Sequence, residues 1–394
     1  MTEPILYDVL ATPRSPLVVR DGRPFGQGGT MKSLPWIYPS VFAGSLRTTI
    51  GAELGLNFSD ATVLNALKQI ETSGALPCIP NKNGTNLPYL PKPFDCVVCE
   101  KDATRKVYAV RPTKLNDGEG CDLPKGALQP ALLQKGEDED NFKPTKTAPF
   151  WSWSSYMNWL QTENVQGVVV EGVKYPQLSE KPKTSDALPS FPKDERTCVA
   201  IDSFSGTASD GKLFSTVGLD LFLKDSQESV ALFSQVTTDQ KLPDSTLGAL
   251  GGRRRLASWR FKKSEKLEAP KELKEKVKNA KRVRMVLTTP AIFKGGWLPG
   301  WLNNSLEGAP RTCAGKVALK LESVAIDRWV PVSGWSYEES APKSVRRMVP
   351  AGGVYFFTVD GDVDALFNDA WFRSVCDDEQ DARDGFGVAL WGVY

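Results

Sequence analysis

Twice along this chain a run of alternating apolar and polar residues leads through a glycine-rich loop into one helical pattern and then back into strand-like runs. Alternation at a period of two is what a half-buried strand needs, and an apolar period of 3.6 is what an amphipathic helix needs. In the first pass residues 4–19 alternate, with Pro13 and Pro16 interrupting, and Gly26, Gly28 and Gly29 form the loop. A helix is predicted over 39–54, with Pro39 in its first turn, Ser40 as a cap candidate, and Val41, Leu46 and Ile50 on or near one face. Ser59-Asp60 caps a second helical pattern through Ile70. In the second pass LGALGGRRRLASWRFKK (247–263) carries the loop, 270–281 is a Lys/Glu-rich helix, and RVRMVLTTPAIF, KVALKLESVAIDRW and SVRRMVPAGGVYFFTV are strands. The pattern predicts an α+β chain of two units, drawn at 1–245 and 246–394, and 394 residues suffice for two cores.

Residues 76–195, rich in Pro, Gly, Asn and Lys, read as loop insertions on the first unit. Within them FWSWSSYMNWL (150–160) must bury its tryptophans, which predicts a packed helix. TCVAID (197–202), a polar turn and LFSTVGLDLFL predict a long β-hairpin; VALFSQV suits either a helix or a strand. A helix capped by Asp362 is predicted to run to Val375, followed by a last strand in RDGFGVALWGVY.

Charge limits the kind of partner. With 49 basic and 47 acidic residues the net charge is +2, so any polyanion site has to be a local patch. The amino terminus lacks the basic and apolar regions of a signal peptide, and no apolar run approaches the roughly 20 residues of a membrane span, so a cytosolic location is expected. Seven cysteines, an odd and irregular set, point to reduced thiols. Cys96 and Cys99 form a CxxC that reads as part of a strand; a zinc site without histidine would have to recruit cysteines such as Cys78 and Cys121. Asp360, Asp362 and Asp364 open like a calcium loop, but Ala365 and Trp371 stand where glycine and glutamate belong. No metal and no cofactor is expected.

Two segments suit a phosphate backbone. The first, 20–47, holds Arg20, Arg23, Gly28 and Gly29 before a helix start that presents Ser40, Ser45 and Arg47. Glycines allow close approach, helix-start N–H groups face anions, and arginines add charge. The plainer alternatives are a turn closed by Asp21 and a simple helix cap. The second holds Gly251, Gly252, Arg253, Arg254, Arg255 and Trp259. Three adjacent arginines cannot all face one way in an extended strand, so one points away or pairs with an acid. Trp259 offers a stacking face for an unpaired base, although a lone tryptophan is more often a core side chain. Further RNA-binding candidates are Trp297 in GGWLPGW, Arg346 and Arg347 before a hydrophobic strand, and Gly385 and Gly387 in the tail.

With these residues in view, the chain resembles the RAMP superfamily (repeat-associated mysterious proteins) of CRISPR systems. Within it the likeness is to the family of third subunits of the type III-B, or Cmr, effector complex. The matching segments are SPLVVRDGRPFG (15–26), PSVFAGSLR (39–47), CVAIDSFSGTASDGKLFST (198–216), LGGRRRLASW (250–259), LTTPAIFKGGWLPGW (287–301), VSGWS with PKSVRRMVPAGGVYFF (332–357) and DGFGVALWG (384–392). The resemblance implies two ferredoxin-like units, related to RNA recognition motifs, with long loop insertions. It implies a subunit that holds the repeat-derived 5′ handle of CRISPR RNA, between the large polymerase-like subunit and the backbone RAMP subunit, with target RNA reached indirectly, in a prokaryotic cytoplasm. One departure is Cys198, where the family often has histidine. Some RAMP relatives cut precursor RNA with a histidine, the side chain suited to proton transfer near neutral pH, and this chain has none. A non-catalytic RNA-binding subunit is therefore the expected role; a processing ribonuclease and a purely structural adaptor are the alternatives.

Overall fold

The computed structural model describes residues 3–20, 29–30, 33–81, 84–123, 128–136, 141–163, 165–170, 175–336 and 339–394. Its strands of five residues or more, in chain order, are β1 (Ile5–Pro13), β2 (Cys96–Lys101), β3 (Thr104–Pro112), β4 (Lys193–Ile201), β5 (Ala208–Leu219), β6 (Ala231–Thr238), β7 (Ser245–Ala249), β8 (Leu256–Lys263), β9 (Arg282–Leu287), β10 (Val317–Ala325), β11 (Val354–Gly361) and β12 (Val388–Gly392). The helices are α1 (Pro39–Glu53), α2 (Ala61–Lys68), α3 (Trp153–Leu160), α4 (Lys271–Ala280), α5 (Asp364–Asn368) and α6 (Glu379–Arg383).

Two compact units divide the chain. One comprises Met1–Asn86, Ser190–Ser264 and Pro331–Arg346; the other Leu87–Pro189, Glu265–Val330 and Arg347–Tyr394. This differs from a division at 245/246. β7 and β8 pair with each other and β8 pairs along β1, so residues 246–263 complete the sheet of the first unit. Residues 87–189 likewise belong to the second unit.

In the first unit the sheet runs β7-β8-β1-β6 and ends on Glu71–Thr72, all antiparallel, with Leu76–Cys78 also on β6. Tyr7, Val9, Leu10 and Ala11 of β1 are buried, as a central strand requires. Phe42, Leu46 and Ile50 of α1 are buried as well, whereas Val41 is exposed. Helix and sheet come so close at Gly248 that a Cβ there would lie 2.1 Å from Thr49 Oγ1. Asp60 caps α2 by accepting from the Thr62 N–H, as its position predicts. β4 and β5 form the long hairpin.

In the second unit a six-stranded sheet runs Glu307–Gly308, β10, β11, β9, β12, Arg373–Ser374. The tryptophan cluster forms α3 as predicted, capped by Ser152, with Trp151 and Trp159 fully buried edge to face at 6.0 Å. Behind it lies a buried ionic cluster. Asp95 Oδ2 accepts from Arg284 Nη1 at 2.5 Å and from Arg111 Nη1 at 2.9 Å, while Asp95 Oδ1 accepts from Trp159 Nε1 at 2.9 Å. Further guanidinium N–H groups turn to the carbonyls at the end of α3: Arg284 Nη2 to Trp159 and Thr162, Arg111 to Thr162 and Glu163. Cations suit a helix C-terminus, so helix end and carboxylate together offset two positive charges. Burial, and next the neighbouring Arg284, push the Arg111 guanidinium down to about 10. The CxxC falls on β2 as expected of a strand, and burial pushes the Cys96 thiol up to about 12.

The predicted helix 362–375 shrinks to Asp364–Asn368. Phe372 adopts φ of +52°, which ends any helix, and its N–H joins the Ala389 carbonyl at 3.0 Å.

Candidate nucleic-acid interface

The turn between β7 and β8 is closed by Leu250 N–H donating to the Arg255 carbonyl at 2.8 Å. Gly251 sits at φ of +73°, and a Cβ there would lie 2.6 Å from the Val18 carbonyl oxygen, so only glycine fits against that segment. Gly252 N–H donates to the same oxygen at 2.7 Å. Arg253 and Arg254 then take left-handed conformations, φ +61° and +50°, and both are exposed. Arg255 turns the other way: its Nη1 donates to the Pro16 carbonyl at 2.7 Å. The three arginines thus split two outward, one inward.

Arg253 lies over the Phe214 ring at 5.6 Å, with its Nη1 4.0 Å from Cys198 Sγ. Phe214 of β5 pairs through its backbone with Gly29. Arg20, exposed, is two residues beyond Val18 and bridges to Ser33. The fold therefore gathers Arg20, Gly29, Gly251, Gly252, Arg253 and Arg254 along the β4–β5 hairpin. Arg23 and Gly28 lie outside the described residues.

The helix-start candidates divide. Tyr38 occupies the N-cap of α1 without a side-chain cap, and Pro39 follows it, so Ser40 is not the cap: proline has no N–H to satisfy, and the Tyr38 carbonyl takes the Val41 N–H at 3.0 Å. Ser40 and Ser45 are half-buried. Arg47 is also half-buried, and its Nη2 donates to the Ile70 carbonyl at 2.8 Å, a contact that holds α1 to the chain after α2.

Three expectations are corrected by burial. Trp259 is 0% exposed and packs on Phe42 of α1 with ring centroids 5.5 Å apart, so no base reaches it. The signal was present in ASWRF: Ala257, Trp259 and Phe261 alternate on one strand face, and all three are buried. Gly385 and Gly387 are buried too. The Gly385 carbonyl accepts from Thr289 Oγ1 at 2.8 Å, and a Cβ on Gly387 would lie 2.6 Å from Cys376 Sγ. They serve tight packing of β12, not close approach of a ligand.

In the second unit Trp297 keeps 39% exposure while its carbonyl accepts from Tyr355 Oη at 2.6 Å. Arg347 of this unit and Arg346, the last residue of the first unit, are both exposed. Arg347 covers the ring of Trp329 at 4.9 Å, a tryptophan that the segment AIDRW gave no periodic reason to single out.

The hairpin tip is apolar and open. Val199, Ile201, Phe204 and Leu213 are exposed, Phe204 completely. Asp202 shapes the turn: Oδ1 accepts from Ser205 N–H at 2.8 Å and Phe204 N–H at 3.0 Å, and these bonds hold its carboxyl below the usual range. Among the described residues no group of three or more His, Cys, Asp or Glu converges as metal ligands, and no helix is long and apolar enough to cross a membrane.

These features define an α+β protein with an outward-facing Gly–Arg turn on an antiparallel sheet. A family model described as CRISPR-associated protein (Cas_Cmr3) matches residues 9–394, so the chain belongs to that family and is a Cmr-type CRISPR effector subunit. Among solved structures it is similar, at 14% identity and a TM-score of 0.47, to a chain of the type III-B Cmr-beta complex bound to cognate target RNA, covering 89% of this chain and 86% of that one. It is also similar, at 12% identity and a TM-score of 0.36, to a chain of the Csm3–Csm4 subcomplex of the type III-A CRISPR-Cas interference complex, covering 90% and 94%. No curated protein matches.

Proposed function

We propose that this chain is a non-catalytic, CRISPR RNA-binding subunit of a type III effector complex. It holds the repeat-derived 5′ handle and bridges the large polymerase-like subunit to the backbone filament. The observation that carries this reading is the β7–β8 turn, where Arg253 and Arg254 are held outward in left-handed conformations beside exposed Arg20. A tight hairpin turn asks for two successive left-handed residues, as Asp102 and Ala103 supply between β2 and β3; what is particular here is that both are exposed arginines. Guanidinium groups there suit phosphate oxygens, while Gly29 and Gly252 let a sugar–phosphate chain lie close.

Strand order supports a RAMP-like pair of ferredoxin-like units. Counted by first appearance, β8-β1-β6-(71–72) and β12-β9-β11-β10 both run fourth, first, third, second, and α1 joins the first and second strands of the first unit. In that unit β7 stands where the second helix of a βαββαβ unit belongs. The exposed apolar hairpin tip suits burial in an assembly. Proton transfer has no histidine to draw on, which favours holding RNA over cutting it.

The test is affinity of the full chain for repeat-derived single-stranded RNA across a salt series. Replacing Arg253 and Arg254 by alanine is expected to weaken binding at least about tenfold and to lower the salt slope by about one to two, since each lost phosphate contact removes about 0.7 from it. Unchanged affinity and slope would reassign the turn to protein contacts. Cleavage of the RNA at one site by the metal-free protein would instead establish a nuclease.

A further inference from the structure

Outside the Gly–Arg turn, one exposed aromatic in the second unit is arranged unlike the others. Trp329 is 54% exposed, and the guanidinium of Arg347 lies 4.9 Å over its ring. By contrast Trp151, Trp159, Trp259, Trp371 and Trp391 are buried. Leaving half an indole in water forgoes hydrophobic stabilisation that those residues obtain. Its chain neighbour Arg328 is exposed, while the adjacent Asp327 carboxylate is engaged by the Arg328 N–H at 2.7 Å. A planar ring steadied by a planar cation, with Arg328 next in the chain, matches what an unpaired base with its phosphate requires.

We infer that Trp329 is a stacking platform for one unpaired base of the bound RNA, with Arg347 orienting the ring. This rests on the RNA-binding reading above and adds a second, chemically different contact. The Gly–Arg turn takes phosphate, whereas Trp329 takes a base face. Stacking of this kind tolerates any base, because each has a π face.

The test compares the full chain with Trp329→Leu and Trp329→Phe against two probes, a single-stranded oligoadenylate and an abasic oligomer of the same length. Leucine keeps apolar bulk at an exposed position, so folding is not at issue, and a matching melting temperature checks it. Trp329→Leu is expected to bind the oligoadenylate roughly 5- to 150-fold more weakly. Its salt slope and its affinity for the abasic oligomer should stay at wild-type values, and Trp329→Phe should keep most of the binding. If the wild type binds and Trp329→Leu binds equally well, the stacking role is wrong while the RNA-binding reading stands. Equal losses on both probes, or lost co-assembly with protein partners at unchanged RNA affinity, also overturn it. Failure of the wild type to bind RNA at all would sink both.

Discussion

Arg253 and Arg254 are held at a cost: a non-glycine residue in the left-handed region gives up about 1–2 kcal/mol. Arg253→Gly is therefore expected to raise folding stability by up to about 1 kcal/mol in a denaturant melt while weakening RNA binding. A stability loss would mean that the Phe214 contact outweighs the strain. Asp8 illustrates a different balance. It is buried on β1, and burial raises its carboxyl above the ordinary range against the opposing hydrogen bonds from Gln235 and Ser264 and the charge of Lys262. A folded-state value above the unfolded one, about 3.9, means the folded chain binds the proton more readily. The unfavourable contribution is thus present at neutral pH and fades as pH falls through the raised value toward the unfolded one. Asp8→Asn should accordingly gain melting temperature relative to wild type at pH 7 and lose that relative gain at pH 4. An equal difference at both pH values would show that Asp8 carries no such penalty.

Among the elements, α3, the β2–β3 hairpin and β9 meet on one carboxylate. Asp95 neutralises two buried guanidiniums, so Asp95→Ala leaves both without their counter-ion. Breaking a buried pair from one side costs about 3–5 kcal/mol. That loss, read by chemical denaturation, is the expected result; a change under about 1 kcal/mol would mean that the α3 carbonyls suffice to hold the two cations. What local patterning foretold at this scale was local. Pro39 placed the start of α1, Asp60 capped α2, and the tryptophan spacing of 150–160 gave α3, because each depends on residues within a few turns. The pairing of β8 with β1, with Tyr7 opposite Lys263, joins segments some 250 residues apart and leaves no mark in either. Placing 246–263 in the second unit and 87–189 in the first follows from that blindness. So does the over-long helix after Asp362, which a left-handed Phe372 and pairing to β12 cut short.

For the whole molecule, a net charge of +2 means that the proposed RNA binding would rest on a few local contacts, and the candidate residues split accordingly. The arginines and glycines of the two Gly–Arg segments were legible as a set, since charge and backbone freedom are properties of residue type. Which of them face out was not: Arg47, Arg255, Trp259, Gly385 and Gly387 turn to the protein because of packing partners far off in sequence, and Trp329 emerges only from its contact with Arg347. Handle binding by the exposed turn Gly251–Arg254 is what we propose. Its most direct test is to co-express the chain with the large subunit and a CRISPR array, purify through a tag on this chain, and sequence the 5′ ends of the bound RNA. A uniform repeat-derived 5′ end, lost when Arg253 and Arg254 are replaced by alanine, is the predicted result. Random 5′ ends in the wild type, or the same uniform end in the variant, would contradict it.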